Sequence, residues 1–175
     1  MTYPQGKRVA YSAAMLLAAL AFSYLEAIVP ISLLIPLPGL KLGLANLAVM
    51  LTFFAISKYD AAMVSFTRIV LSALLFGSPV SFLFSLSGGV LAYASMFLSK
   101  PLLKCGKMSF IGASVLSSAL HGAGQILAAM LIYGTGALFY LPVILLCGVP
   151  FGALTGWILN ILYPKTEKII NAKNI

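Results

Sequence analysis

The chain has 175 residues, of which 62% are hydrophobic and 8% charged, with a formal net charge of +8 and a mean hydropathy of +1.08. A water-soluble domain carries roughly a quarter charged residues, so this composition excludes a soluble enzyme, a disordered tail and a nucleic-acid-binding domain. It predicts an all-α integral membrane protein: at about 20 apolar residues per spanning helix, the chain holds about six spans in one domain, with no soluble catalytic module.

In chain order, apolar runs between polar, Gly or Pro breaks predict helices over residues 8–27, 42–57, 61–76, 80–98, 109–133 and 140–163. Lys7 and Arg8 ahead of the first run also fit a signal peptide. Ala10, Ala14 and Ala18, with Ala13 and Ala21 beside them, instead give that run a face of small side chains, which permits close helix–helix approach in a membrane. The face serves either internal packing or a membrane partner. From Ile28 to Gly39 the chain is apolar and holds three prolines. Apolar surface left in water is unfavourable, so this external loop is expected to fold back on the bundle as a lid.

Next comes Pro38-Gly39-Leu40-Lys41-Leu42-Gly43-Leu44-Ala45-Asn46. Its glycines permit a tight turn or close backbone approach. Lys41 is expected at the membrane surface, and Asn46 about one helical turn below it. Either the pair binds an anionic or carbonyl-bearing ligand, or Lys41 snorkels to lipid phosphate while Asn46 bonds a neighbouring helix. Arg68 falls halfway along the third helix, where an ionised group is costly unless it is paired or faces a polar cavity. Gly88 and Gly89 are expected to interrupt the fourth helix. The loop from Lys100 to Lys107 lacks a P-loop, because Pro101 stands where its first glycine belongs and Met108 where Ser or Thr binds Mg²⁺.

In the fifth helix Ser117, His121 and Gln125 recur at i, i+4 and i+8, forming one polar stripe. Gly122 and Gly124 beside it leave room for a ligand or another backbone. Gly148, Gly152 and Gly156 make a small-residue ridge on the sixth helix, read as internal packing.

With both termini inside, nine of the eleven basic residues fall on cytoplasmic segments: Lys7, Arg8, Lys58, Lys100, Lys104, Lys107, Lys165, Lys168 and Lys173. The positive-inside rule then gives a multi-pass plasma-membrane protein with cytoplasmic termini. The +8 charge reports orientation and contact with anionic membrane lipid, not nucleic acid. Lys41 and Arg68 are the exceptions, and both need something anionic nearby. The three acids, Glu26, Asp60 and Glu167, are too few for a carboxylate-rich metal site. Cys105 and Cys147 lack metal-ligand spacing; no metal and no cofactor are expected. Glu26, the one acid on the external half, either pairs with Arg68 or Lys41 or touches a ligand. The expected ligand site is therefore Glu26, Lys41, Asn46, Arg68, His121 and Gln125.

Six short helices, cytoplasmic termini, an apolar first external loop and the Ala10, Ala14 and Ala18 stripe together resemble the S-component of an energy-coupling factor (ECF) vitamin transporter. The segment from Pro38 to Asn46, with His121-Gly122-Ala123-Gly124-Gln125, resembles more narrowly the family called Gx transporter or heptaprenyl diphosphate synthase component I, in which Asn commonly stands at the position of Gly122. The resemblance implies a small-molecule ligand (a vitamin, a cofactor or a prenyl- or quinone-related precursor) bound in the outer half under the first external loop. It also implies a non-enzymatic chain whose alanine stripe meets a transmembrane coupling subunit, with cytoplasmic ATPases supplying the energy. The family's second name implies an alternative, a non-catalytic accessory subunit of polyprenyl diphosphate or quinone metabolism. A purely structural membrane partner is a third reading. An apolar cavity deep enough for an isoprenoid tail favours the second reading, a compact polar pocket the first, and no cavity the third.

Overall fold

The computed structural model describes residues 5–28, 41 and 43–171. Of the expected lid over Ile28–Gly39, Ile28 is the last residue of α1 and residues 29–39 lie outside the described residues, as do Lys173 and the extreme termini. The order is α1 (Gln5–Ile28), α2 (Asn46–Ala55), α3 (Lys58–Phe76), α4 (Pro79–Lys104), α5 (Phe110–Tyr133), a 3₁₀ turn (Thr135–Tyr140) and α6 (Leu141–Asn171). No strand occurs among the described residues. Ser57, Ser78 and Ser109 cap α3, α4 and α5, each side chain accepting a backbone N–H of the first turn, which satisfies donors that have no partner inside a helix.

Five helices are long and apolar enough to cross a membrane. Their outward surface fits lipid rather than water: Leu131 is 89% and Phe139 86% exposed. The exception is α2. The expected helix over residues 42–57 shortens to ten residues, about 15 Å long at 1.5 Å per residue, half the hydrocarbon thickness. Nine of its ten residues are buried, so it lies inside the bundle. It packs on α1, α3, α4, α5 and α6, while α1 packs on α2 and α3.

The fourth helix runs unbroken through Gly88 and Gly89 to Lys104, six residues past its expected end at 98. The glycines make room for neighbours instead of ending the helix. A Cβ on Gly88 would sit 2.8 Å from the His121 ring, and one on Gly124 2.6 Å from the Ser87 carbonyl oxygen. That lets α4 and α5 approach almost backbone to backbone. Gly148, Gly152 and Gly156 face Ser118, Val115, Ser114 and Ile111 of α5, so the α6 ridge is internal packing. The α1 stripe turns the other way: Ala10 and Ala14 are exposed and Ala18 half-buried.

Lys7, Arg8, Lys58, Lys100, Lys104, Lys107, Lys165 and Lys168 all lie at or near one end of the bundle, hereafter the basic end. There Arg8 Nε and Asp60 Oδ2 meet at 2.6 Å, tying α1 to α3. Just inside this end an aromatic core forms. Phe53 packs edge-on against Phe54, Tyr93 and Phe97 at 5.1–5.7 Å between centroids, and Phe110 leans on Tyr163 at 4.8 Å.

A buried polar cluster as candidate ligand site

Lys41 and residues 43–45 precede α2 without regular helix, and most are enclosed: Lys41 is 7% exposed and Ala45 fully buried. Non-helical backbone at membrane depth is tolerated only where protein or a water-filled cavity satisfies its N–H and C=O groups. Here side chains of other helices do so. The Lys41 N–H donates to Gln125 Oε1 at 2.8 Å, and Gln125 Nε2 donates back to the Lys41 carbonyl at 2.7 Å. The Leu44 N–H donates to Glu26 Oε1 at 2.5 Å. Gly43 makes the turn at φ +89°, a conformation that costs an L-residue strain, and its missing Cβ would lie 3.2 Å from Asn46 Nδ2 and 3.3 Å from the His121 ring.

Two expectations change as a result. Lys41 is enclosed rather than exposed, and its backbone is held within the bundle by Gln125. Asn46 is not a turn into a helix but its first residue. It accepts from Arg68 Nη2 through Oδ1 at 3.4 Å, while Arg68 Nη1 points to Ser23 Oγ at 3.5 Å. Both distances are beyond the usual N–H···O range. Arg68 is 1% exposed, so its charge is enclosed and only loosely satisfied.

All six expected site residues are buried, at 7% exposure or less, and they converge around Gly43 from α1, α3, α5 and the start of α2. Several polar atoms there have no hydrogen-bond partner among the described residues: Glu26 Oε2, Asn46 Nδ2, Arg68 Nε and both His121 ring nitrogens. Nor do the charges pair directly. Among the described residues the one direct ion pair is Arg8–Asp60 at the basic end; Glu26 feels the charges of Arg68 and Lys41 without touching either, and its Oε1 accepts the Leu44 N–H. Ser117 bonds the Ala92 carbonyl instead of joining the cluster.

Sequence reasoning passed over two residues. Ser23 lies one turn before the Glu26 turn on the inner face of α1, and Ser85, on α4 one turn before Gly88, has a buried hydroxyl without a partner. Serines are frequent in this chain and carry no spacing signal; only the fold separates these two from the rest.

A profile of known proteins described as heptaprenyl diphosphate synthase component I matches residues 15–162. The chain belongs to this family. The match runs from within α1 almost to the end of the hydrophobic part of α6, so every residue of the cluster lies inside it. No curated protein and no solved structure matches the chain.

Proposed function

We propose that this family member is a ligand-binding membrane subunit that takes a small anionic molecule into the polar cluster and serves its uptake, as the S-components it resembles do. One observation carries the reading: the cluster encloses two cations, Lys41 and Arg68, against one acid, Glu26, and leaves donors of Arg68 and Asn46 without acceptors. An unpaired buried charge costs several kcal/mol and is expensive in a membrane span. Packing alone is served better by apolar residues; an anionic ligand removes the imbalance. In this reading Arg68 and Asn46 receive the anion and His121 borders it. Gln125 acts through Lys41 as a positioning residue, since both ends of its amide are occupied by the Lys41 backbone.

By the positive-inside rule the basic end lies in the cytoplasm of a plasma-membrane protein, both termini with it, and the cluster in the outer half. Cysteine labelling that reached position 34 only from the cytoplasm would overturn this orientation. The exposed Ala10 and Ala14 edge of α1 is the surface for a transmembrane coupling subunit, and ATPases supply the energy, so the chain is not itself an enzyme. Ala14→Trp is expected to block that assembly and leave ligand binding intact; normal assembly of the variant would return the stripe to lipid. The direct test of the site is mass spectrometry of small molecules that copurify with the protein. An anionic compound present with the unaltered chain and lost from Arg68→Gln is expected; identical profiles would remove Arg68 from the site.

A second reading is supported by the family's name and by an apolar groove. In it the chain is an accessory subunit of a polyprenyl diphosphate synthase. The groove, about 610 Å³, is lined by Val70, Ala73, Leu74, Pro79, Phe82 and Leu83 where α3 turns into α4. Copurification of a soluble synthase subunit in place of ATPases would favour it.

A further inference from the structure

The unpartnered atoms of the cluster differ in kind, and the difference constrains the ligand. Asn46 Nδ2 and Arg68 Nε are donors that lack acceptors; Glu26 Oε2 is an acceptor that lacks a donor; the two His121 nitrogens, one donor and one acceptor on a neutral ring, also lack partners. Glu26 cannot turn that oxygen toward Leu44, because its other oxygen already accepts the Leu44 N–H at 2.5 Å. Asn46 cannot offer its carbonyl oxygen in place of its amide nitrogen without losing the contact to Arg68 Nη2. Each orientation is therefore set by a neighbour, and the ligand has to bring both an acceptor and a donor.

Charge narrows the choice further. Lys41 and Arg68 against Glu26 leave an excess of one positive charge. A single anionic group balances it. A zwitterion brings no net charge and leaves the excess in place, and a phosphate monoester, at about −1.5 to −2 near neutral pH, overshoots it.

We infer that the cluster takes a small monoanion, a carboxylate in chemical class, that carries a neutral hydrogen-bond donor such as a hydroxyl close to its anionic group: the anion meets Arg68 and Asn46, and the hydroxyl donates to Glu26. This inference rests on the reading of the cluster as a ligand site and deepens it. A hydrogen bond to a charged acceptor is worth more than one between neutral groups, so the hydroxyl contributes substantially to selection.

The test uses the purified full-length protein in detergent, with the shift of its thermal midpoint as the readout of binding at constant ionic strength. The probes are glycolate, acetate, glycine and 2-hydroxyethyl phosphate. Glycolate is expected to bind at least fivefold more tightly than acetate, which lacks the donor, and more tightly than glycine or the phosphate. In Glu26→Gln, acetate binding is expected to strengthen, because a negative charge has gone, while the preference for glycolate over acetate shrinks. Equal binding of acetate and glycolate would overturn the donor requirement while leaving an anion site at Arg68. Tighter binding of glycine or of the phosphate would overturn the charge assignment. The site reading itself fails separately, if none of the four shifts the midpoint differently in the unaltered chain and in Arg68→Gln. Should Glu26→Gln not fold, the ranking of the four probes on the unaltered protein decides the question alone.

Discussion

The two ends of α2 sit in opposite environments. Its last turns carry Phe53 and Phe54 into the aromatic core near the basic end, where rings meet edge to face. The nearby Arg8–Asp60 charges at that end pair directly at 2.6 Å while keeping some exposure to solvent. Its first residue, Asn46, enters a cluster where an arginine, a lysine and a glutamate are almost fully enclosed and interact without direct contact. At the wet rim, where the gain is small, one charge pair, Arg8–Asp60, still closes directly. Enclosed charges without direct partners cost more, and the proposed ligand site accounts for that cost. The aromatic half holds the helices together, and the polar half is where the proposed function places a ligand.

Mutations in the two halves are expected to separate stability from binding. Phe53→Ala empties the centre of the aromatic core and should lower folding stability by about 3–5 kcal/mol, read as a lower melting midpoint in detergent. Affinity of the surviving folded fraction for an anionic probe should not change; a parallel loss of affinity would mean the halves are one unit. Arg68→Gln should show the reverse. Anion affinity is expected to fall by about 1.5–3 kcal/mol, the range for hydrogen bonds to charged groups, with the melting midpoint of the ligand-free protein unchanged or raised because an unpaired buried charge is gone. A large loss of stability with affinity retained would make Arg68 a structural residue and dissolve the contrast.

Smaller effects sharpen the boundary between the halves. At Gly43 the φ of +89° and the closeness of Asn46 and His121 both oppose a side chain, so Gly43→Ala should cost about 1–2 kcal/mol of stability and also weaken anion binding, because the displaced neighbours belong to the proposed site. An effect on stability alone would show the turn to be independent of the site. Asp60→Asn should cost about 1 kcal/mol or less and lose even that effect at high salt, since the two side chains of the pair are 39% and 18% exposed. Salt-insensitive destabilisation would place that pair among the buried charges and remove the difference between the two ends.

Much of the plan was legible in the linear chain. Membrane residence follows from 62% hydrophobic and 8% charged residues, since no packing arrangement can hide so apolar a surface from water. The polar residues later found clustered were also identifiable one by one, because an ionisable or amide side chain inside an apolar run is conspicuous against its neighbours. The α6 ridge, with three glycines at four-residue spacing, was readable as packing for the same local reason.

What each polar group does was decided only by tertiary structure. Hydropathy is apolar through residues 42–57 whether or not the backbone is helical, so it could not reveal that α2 begins at Asn46 and that the residues before it need partners. Gln125 and Glu26 were placed in the site by their chemistry, yet the structure engages them first with the backbone of Lys41 and Leu44, across sequence separations of 84 and 18 residues. Gly88, expected to break a helix, instead accommodates the His121 ring. Composition and charge bias act on each segment separately and are written in its residues. Hydrogen-bond satisfaction depends on which distant atoms meet, and that is settled only when α1, α3, α5 and the short α2 close around one point.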